Sequence, residues 1–300
     1  MNHGPLIFLG VLASFVASWW ALIFAPQLQI GSQPISQTDS GSYPVRRVGL
    51  AQQGHEVYVA AGCVQCHSQQ VRQDGYNFDV TLTAAGTNAT EVAKLISVIA
   101  PNLSAKVAEI LAGASEKTPV TILQGVPLRA AANAQSQLTK AGAGVQRVFI
   151  PLGPDIKRAW GPRRTVAADY LYDQPVQTGN SRLGPDLSHI GARMPAADWH
   201  LLHLYDPRTV VKGSIMPAYR YLFETRKMGK APSPDALKLT DAFAPPKGYE
   251  VVPKPEAQQL AAYLQSLRIE GALPEAPLTP PAPAEVATNA PAAAAGTPNP

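Results

Sequence analysis

Gly62-Cys63-Val64-Gln65-Cys66-His67-Ser68-Gln69-Gln70-Val71-Arg72 decides how the chain is read. It holds the only two cysteines, three positions apart, with a histidine directly after the second. Two cysteines in 300 residues cannot staple a disulfide-built fold. Upstream, residues 54–62 (GHEVYVAAG) read as a helix that runs into the motif. Wider still, 46% of the residues are apolar, 15% are charged and the net charge is +4. That balance builds a sizeable core and excludes both a wholly disordered chain and a basic protein that coats nucleic acid. The length exceeds the ~100–150 residues of one ordinary domain, so more than one unit is expected.

Three chemistries use paired cysteines at this spacing. A zinc site needs further Cys or His ligands nearby, usually a second such pair, and the sequence has none. A thioredoxin-like dithiol follows a strand and opens a helix, whereas here a helix comes first. The remaining reading is covalent attachment of haem c. Two thiols three apart reach the vinyl groups on one haem edge, and the next side chain, His67, projects its imidazole to the iron. Candidates for the second axial position are Met216, Met194, Met228 and His189. Met216 stands out, in a loop before Pro217 and ahead of the last amphipathic helix, 255–267 (PEAQQLAAYLQSL). A lone methionine elsewhere is more often core filler. A His67/Met216 pair closes the iron and raises its potential, which suits electron transfer. Arg72, Arg182 and Arg193 are candidates to pair the haem propionates, since a guanidinium fork matches a carboxylate. His200 and His203, three apart on a helix over 196–205, lack a third ligand and are expected to pack.

Toward the N-terminus, residues 5–25 (PLIFLGVLASFVASWWALIFA) carry no charge, and Asp39 is the first charged side chain. As helix they reach ~31 Å, the thickness of a bilayer's hydrocarbon core. Trp19 and Trp20 sit near the end, where amphipathic rings favour the headgroup layer. A cleaved signal peptide would have a basic start and a shorter apolar run, so residues 1–25 read as an uncleaved single-span membrane anchor contacting lipid. Residues 26–49 follow as a polar tether. At the other end, residues 272–300 hold 18 alanines and prolines and are expected to be a disordered tail.

Residues 78–150 differ in character. A strand at 80–83 precedes a helix over 90–100, with Val92, Leu95, Ile96 and Ile99 on one face. Pro101 stops it, and Ser104 is expected to cap a second, short helix. A strand at 120–123, a helix over 128–140 and a strand at 145–150 complete a β-α-α-β-α-β module. The order and the phrase LRAAANAQSQLTKAGAGVQRV resemble the C-terminal domain of the bacterial ribosomal stalk protein, over residues 80–148. That family's factor-binding turn is Pro101-Asn102-Leu103-Ser104 here, so ribosomal activity does not carry over. A docking or spacing module and an inert packing insertion remain as its readings.

The anchor, GCVQCHSQQVR (62–72), the GPDLSHIG stretch (184–191), DWHLLHLYDPRTVVKGSIMPAY (198–219) and the closing helix together resemble a second family. It is the membrane-anchored mono-haem subunit II of C-family, cbb-type haem-copper cytochrome c oxidases, over about 5–75 and 158–270. The resemblance implies a mostly α fold: one transmembrane helix plus a class I cytochrome c-like all-α haem domain, 50–77 and 151–271, interrupted by the 78–150 module. It implies one covalent haem c on Cys63 and Cys66, axial ligands His67 and Met216, and the Pro185 carbonyl accepting the His67 Nδ1 proton. It further implies electron relay from a donor cytochrome c to the catalytic haem-copper subunit, alongside other oxidase subunits, with no catalytic metal in this chain. The haem domain would face the periplasm from a bacterial inner membrane. Loop charge argues weakly for the opposite side, through Arg46 and Arg47, but both lie about 20 residues beyond the span, at the margin of that rule. Alternatives are a free-standing tethered cytochrome serving another reductase, and a haem-based ligand sensor with an open iron position.

Overall fold

The structure, a computed structural model, describes residues 3–31, 36–38, 41–240, 242–273 and 275–278. The chain opens with α1 (Gly4–Trp19), a π-helical turn (Trp20–Phe24) and α2 (Ala25–Gly31), continuous and longer than the expected 5–25. Pro26 explains the widened turn. Without an N–H it cannot bond the carbonyl four residues back, and the Ala25 N–H reaches instead to the Trp20 carbonyl. The apolar span Gly4–Leu28 has no buried residue, and its Ser14 hydroxyl is satisfied internally by the Gly10 carbonyl at 2.9 Å. Both features suit a helix whose surroundings are lipid.

A short antiparallel pair, β1 (Ser36–Thr38) and β2 (Gly41–Tyr43), leads to α3 (Leu50–Ala60) and the 3-10 turn Cys63–Gln65. The interrupting unit follows as β3 (Gly75–Ala84), α4 (Ala89–Ile99), α5 (Val107–Gly113), β4 (Val120–Val126), α6 (Leu128–Lys140) and β5 (Gly144–Leu152). Its sheet is antiparallel in the order β4-β3-β5. Val80, Leu82, Val92, Ile96, Ala131 and Leu138 are fully buried or nearly so and form a core of their own. Asn88, not named from sequence, caps α4 by accepting the Glu91 N–H. Ser104 caps nothing: it sits inside a 3-10 turn, Pro101–Lys106, and α5 begins three residues later without a side-chain cap. The sheet reaches beyond 78–150 at both ends, because Gly75 pairs with Leu152 and the Asp74 N–H bonds the Leu152 carbonyl at 2.9 Å. The chain therefore enters and leaves this unit at one point.

After β5 come α7 (Pro154–Lys157), α8 (Ile190–Arg193), α9 (Ala197–Tyr205), β6 (Phe223–Lys227), β7 (Tyr249–Pro253) and α10 (Pro255–Ser266). Helix α10 crosses α3 at Gly54, where an added Cβ would lie 1.9 Å from the Gln259 carbonyl oxygen. Only glycine allows that approach. Tyr58, Leu187, Ile190, Leu204, Leu260, Tyr263 and Leu264 make the second core. Helix outweighs strand, but the all-α expectation for this part is corrected by the β6–β7 hairpin, registered from Phe223↔Pro253 to Lys227↔Tyr249.

Both ends of this part differ from a free tether and tail. Tyr43 is buried with Val166, Ala168, Leu273 and Ala276. Its hydroxyl donates to Asp169 at 2.6 Å, and fully buried Arg163 grips the same carboxylate with two nitrogens, at 2.8 and 3.0 Å. The Arg163 Nε also donates to the Gly271 carbonyl at 2.7 Å. Apolar Leu273 and Ala276 give the start of the expected tail something to bury. The rest of the tail reading, residues 279–300, and tether residues 32–35 and 39–40 lie outside the described residues.

Candidate functional site

Cys63, Cys66 and His67 sit at the end of α3, where Gly62 in a left-handed conformation turns the chain into the 3-10 turn. The His67 Nδ1 lies 2.8 Å from the Pro185 carbonyl oxygen. That contact assigns the Nδ1 proton and leaves Nε2 as the nitrogen able to bind a metal. The ring lies flat against backbone: a Cβ on Gly184 would fall 2.2 Å from Cε1 and 2.6 Å from Nδ1. Burial lowers the His67 pKa, opposed by the Pro185 bond and the Asp186 charge, so the imidazole is kept neutral as a ligand requires.

Two loops are zipped together to hold this arrangement. The Gly184 N–H donates to the Cys66 carbonyl at 2.9 Å and the Leu187 N–H to the Ser68 carbonyl at 2.8 Å. Fully buried Asp186 accepts from the Ser68 hydroxyl at 2.6 Å, the Gln70 N–H at 2.7 Å and the Ser188 N–H at 2.9 Å. These three bonds keep the acid satisfied while it joins residues 68–70 to 186–188. Sequence reasoning sets Gly184 and Asp186 with Pro185 in the loop resembling the histidine support, but gives neither a role of its own. Both lie within the quoted 184–191 stretch, but only the fold shows what each touches.

Around the thiols, Cys63, Val64, Met194, Met216 and Tyr219 pack against the core that includes Tyr58 and Leu187. Burial pushes the Cys63 thiol up to about 11, so it stays protonated when unreacted. Met216 is half-buried, with its N–H donating to the Ser214 hydroxyl at 3.3 Å. The other candidates are differently placed. The His189 Nδ1 accepts the Ile269 N–H at 2.9 Å, and Met228 follows β6, its N–H on the Gly248 carbonyl. The His200 Nε2 is 2.8 Å from the Met194 carbonyl oxygen, and His203 stacks on Trp199 with ring centroids 4.8 Å apart. Burial, helped by the nearby His67 and His200, pushes His203 down to about 4.

The arginines divide. Arg182 is committed to Asp155, with Nη1 at 2.6 and 2.7 Å from the two carboxylate oxygens, and it also donates to the Gln70 carbonyl. Arg72 keeps an exposed side chain and gives only its backbone N–H to Asp155, at 2.7 Å. Arg193 donates to the Asp186 carbonyl, and its Nε is buried without an acceptor. Among the described residues no cluster of three or more His, Cys, Asp or Glu is placed to hold a bare metal ion. Two cysteines on one 3-10 turn, an oriented neutral imidazole, a thioether on the same core and an unpaired buried guanidinium N–H form a set that fits haem c.

Residues 147–262 match the family model described as cytochrome c oxidase, mono-heme subunit/FixO. The match takes in Gly184–Asp186 and Met216 and begins downstream of the Cys63–His67 segment. It supports a haem-carrying subunit of a cbb-type cytochrome c oxidase that works in electron transport and partners the catalytic subunit, and the apolar N-terminal helix fits a membrane-anchored subunit of that kind. Over 90 residues the chain is also 34% identical to the large ribosomal subunit protein bL12 of Campylobacter jejuni, covering 30% of this chain and 69% of that protein. That homology is weak and partial, bearing on one stretch and not on the chain as a whole.

Proposed function

We propose that this chain relays electrons from a donor cytochrome c to the catalytic haem-copper subunit of a terminal oxidase, through one haem c joined to Cys63 and Cys66. His67 and Met216 would ligate its iron, and the chain beyond the membrane span would face the periplasmic side of the inner membrane. When bound, haem c supplies a one-electron iron couple, whose potential a His/Met ligand pair raises. The chain's own residues do the positioning. Pro185 fixes the imidazole tautomer, Gly184 lets the ring lie against the loop, and Asp186 ties that loop to the residues following the haem motif. The hydrophobic span carries this assembly on the membrane. Arg193 supplies a buried donor for a propionate, while Arg182 acts through Asp155.

The observation that carries this reading is the His67 imidazole locked at Nδ1 directly after two cysteines three apart. The test is to purify the protein from membranes in mild detergent. Expected are haem that stays with the polypeptide in acidified acetone, a weak near-infrared Met–iron band in the ferric protein that Met216→Ala abolishes, and a co-purifying polytopic haem-copper subunit. A colourless protein, or extractable pigment, overturns the haem assignment. Rapid carbon monoxide binding by the reduced wild type overturns the closed iron, and absence of the polytopic subunit overturns the partner.

A further inference from the structure

A cavity of ≈ 580 Å³, open on one side to solvent, lies where the N-terminus of α3 meets the loop 171–174. It shares no residue with the haem site. Its polar lining is Arg46, Arg47, Gln52, His55, Tyr172, Asp173 and Gln174. Arg47 is spoken for: it pairs with Asp173, donates from Nε to the Ser266 hydroxyl at 3.0 Å and lies over the Tyr263 ring. That pairing neutralises the one carboxylate in the lining. Arg46 has no carboxylate partner among the described residues, and its guanidinium rests 5.0 Å from the centre of the Tyr172 ring. His55 is only 5% exposed, is fixed edge-on to Tyr263 at 5.4 Å, and keeps a buried Nε2 without any hydrogen-bond partner.

Helix α3 adds a fourth element. Its 11 residues begin after Gly49, which has no side chain to cap them, and no acidic residue occupies the first turn. The amide groups at such a helix start have no intrahelical acceptor and carry the positive end of the helix dipole. The wall therefore combines an unneutralised guanidinium, the uncapped start of a helix at Gly49 and Gln52, and a buried histidine with an unpartnered nitrogen, with the opposing acid already paired. An orphaned buried nitrogen is costly unless a ligand or water satisfies it.

We propose that this cavity binds a phosphoryl group. Oxygens arranged tetrahedrally can meet donors from the helix start, from Arg46 and from His55 together, which the two coplanar oxygens of a carboxylate do less well. Inorganic phosphate and the headgroup of a phospholipid share this chemistry. The cavity has room for more than a bare phosphate, and the residues lining it follow the membrane helix in the chain.

The test uses the haem-loaded, full-length protein in a phosphorus-free detergent. Isothermal titration is run with inorganic phosphate and with dihexanoylphosphatidylglycerol below its micellar concentration. Saturable binding is expected, at least tenfold weaker in Arg46→Gln and in His55→Gln and unchanged in Lys140→Gln on the inserted unit. Visible spectra and melting curves confirm that each variant is folded, and exposed Arg46 carries the test alone if His55→Gln is not. Tighter binding of the lipid identifies a headgroup, and equal or tighter binding of phosphate identifies the free anion. No saturable binding of either probe, or binding that Arg46→Gln leaves intact, overturns the proposal.

Discussion

At the scale of the residue, the histidine's neighbours hold it more tightly than the motif itself shows. Gly184→Ala places a methyl group inside the His67 ring, since the added carbon would start 2.2 Å from Cε1. The expected outcome is a ferric visible spectrum shifted from low to high spin, and an unchanged spectrum counts against the packing described. Asp206 gives a pH dependence. Hydrogen bonds from Arg208, with Arg220 adding its own at 2.8 Å, hold this carboxyl at about 2. An unfolded aspartate titrates near ~3.9, so the unfolded chain takes up the proton first on acidification. The stability it contributes is complete above about pH 4 and is lost as the pH falls toward 2. Asp206→Asn is expected to make melting temperature fall less steeply between about pH 4 and 2, measured by circular dichroism. The grouping of Cys63, Cys66 and His67 can be read from the sequence alone, because covalent haem attachment would require that spacing. The roles of Gly184 and Asp186 cannot, because a missing side chain and a buried acid show their use only against residues about 118 positions away.

Among the elements, what could be read depended on periodicity. The helices over 89–99 and 128–140 carry apolar residues at helical spacing and fall where the pattern puts them. The β6–β7 hairpin escaped notice because Phe223-Glu224-Thr225-Arg226-Lys227 buries only its first residue and has no alternation. Its partner, Tyr249–Pro253, lies more than 20 positions on, beyond the reach of any turn signal. There the Glu250 carboxylate, taking the Arg226 Nε–H at 2.8 Å and the Ser233 N–H at 2.7 Å, supplies the fastening. The α3–α10 crossing makes a sharper prediction. Gly54→Ala drives a methyl into the Gln259 carbonyl and is expected to cost about 3 kcal/mol, the upper end for overpacking, because backbone must move. Urea denaturation followed at the haem band measures it, and a midpoint equal to wild type would show that the helices cross elsewhere.

For the whole molecule, the two cores predict separable parts. The unit between Gly75 and Leu152 has its own buried residues, and its entry and exit strands are paired with each other. Replacing residues 78–149 with Asn-Gly, which suits a tight hairpin, is expected to leave the haem spectrum and near-infrared band unchanged. Loss of haem from that variant would mean that the sheet supports the haem loops directly. The clasp at Arg163 bears on a different matter. One buried guanidinium holds the residue joined to the incoming strand and the carbonyl just past the last helix, through Asp169 and Gly271. Like a strain relief on a cable, these contacts would take up a tug arriving along the chain at Tyr43 before the load reached the Cys63–His67 turn.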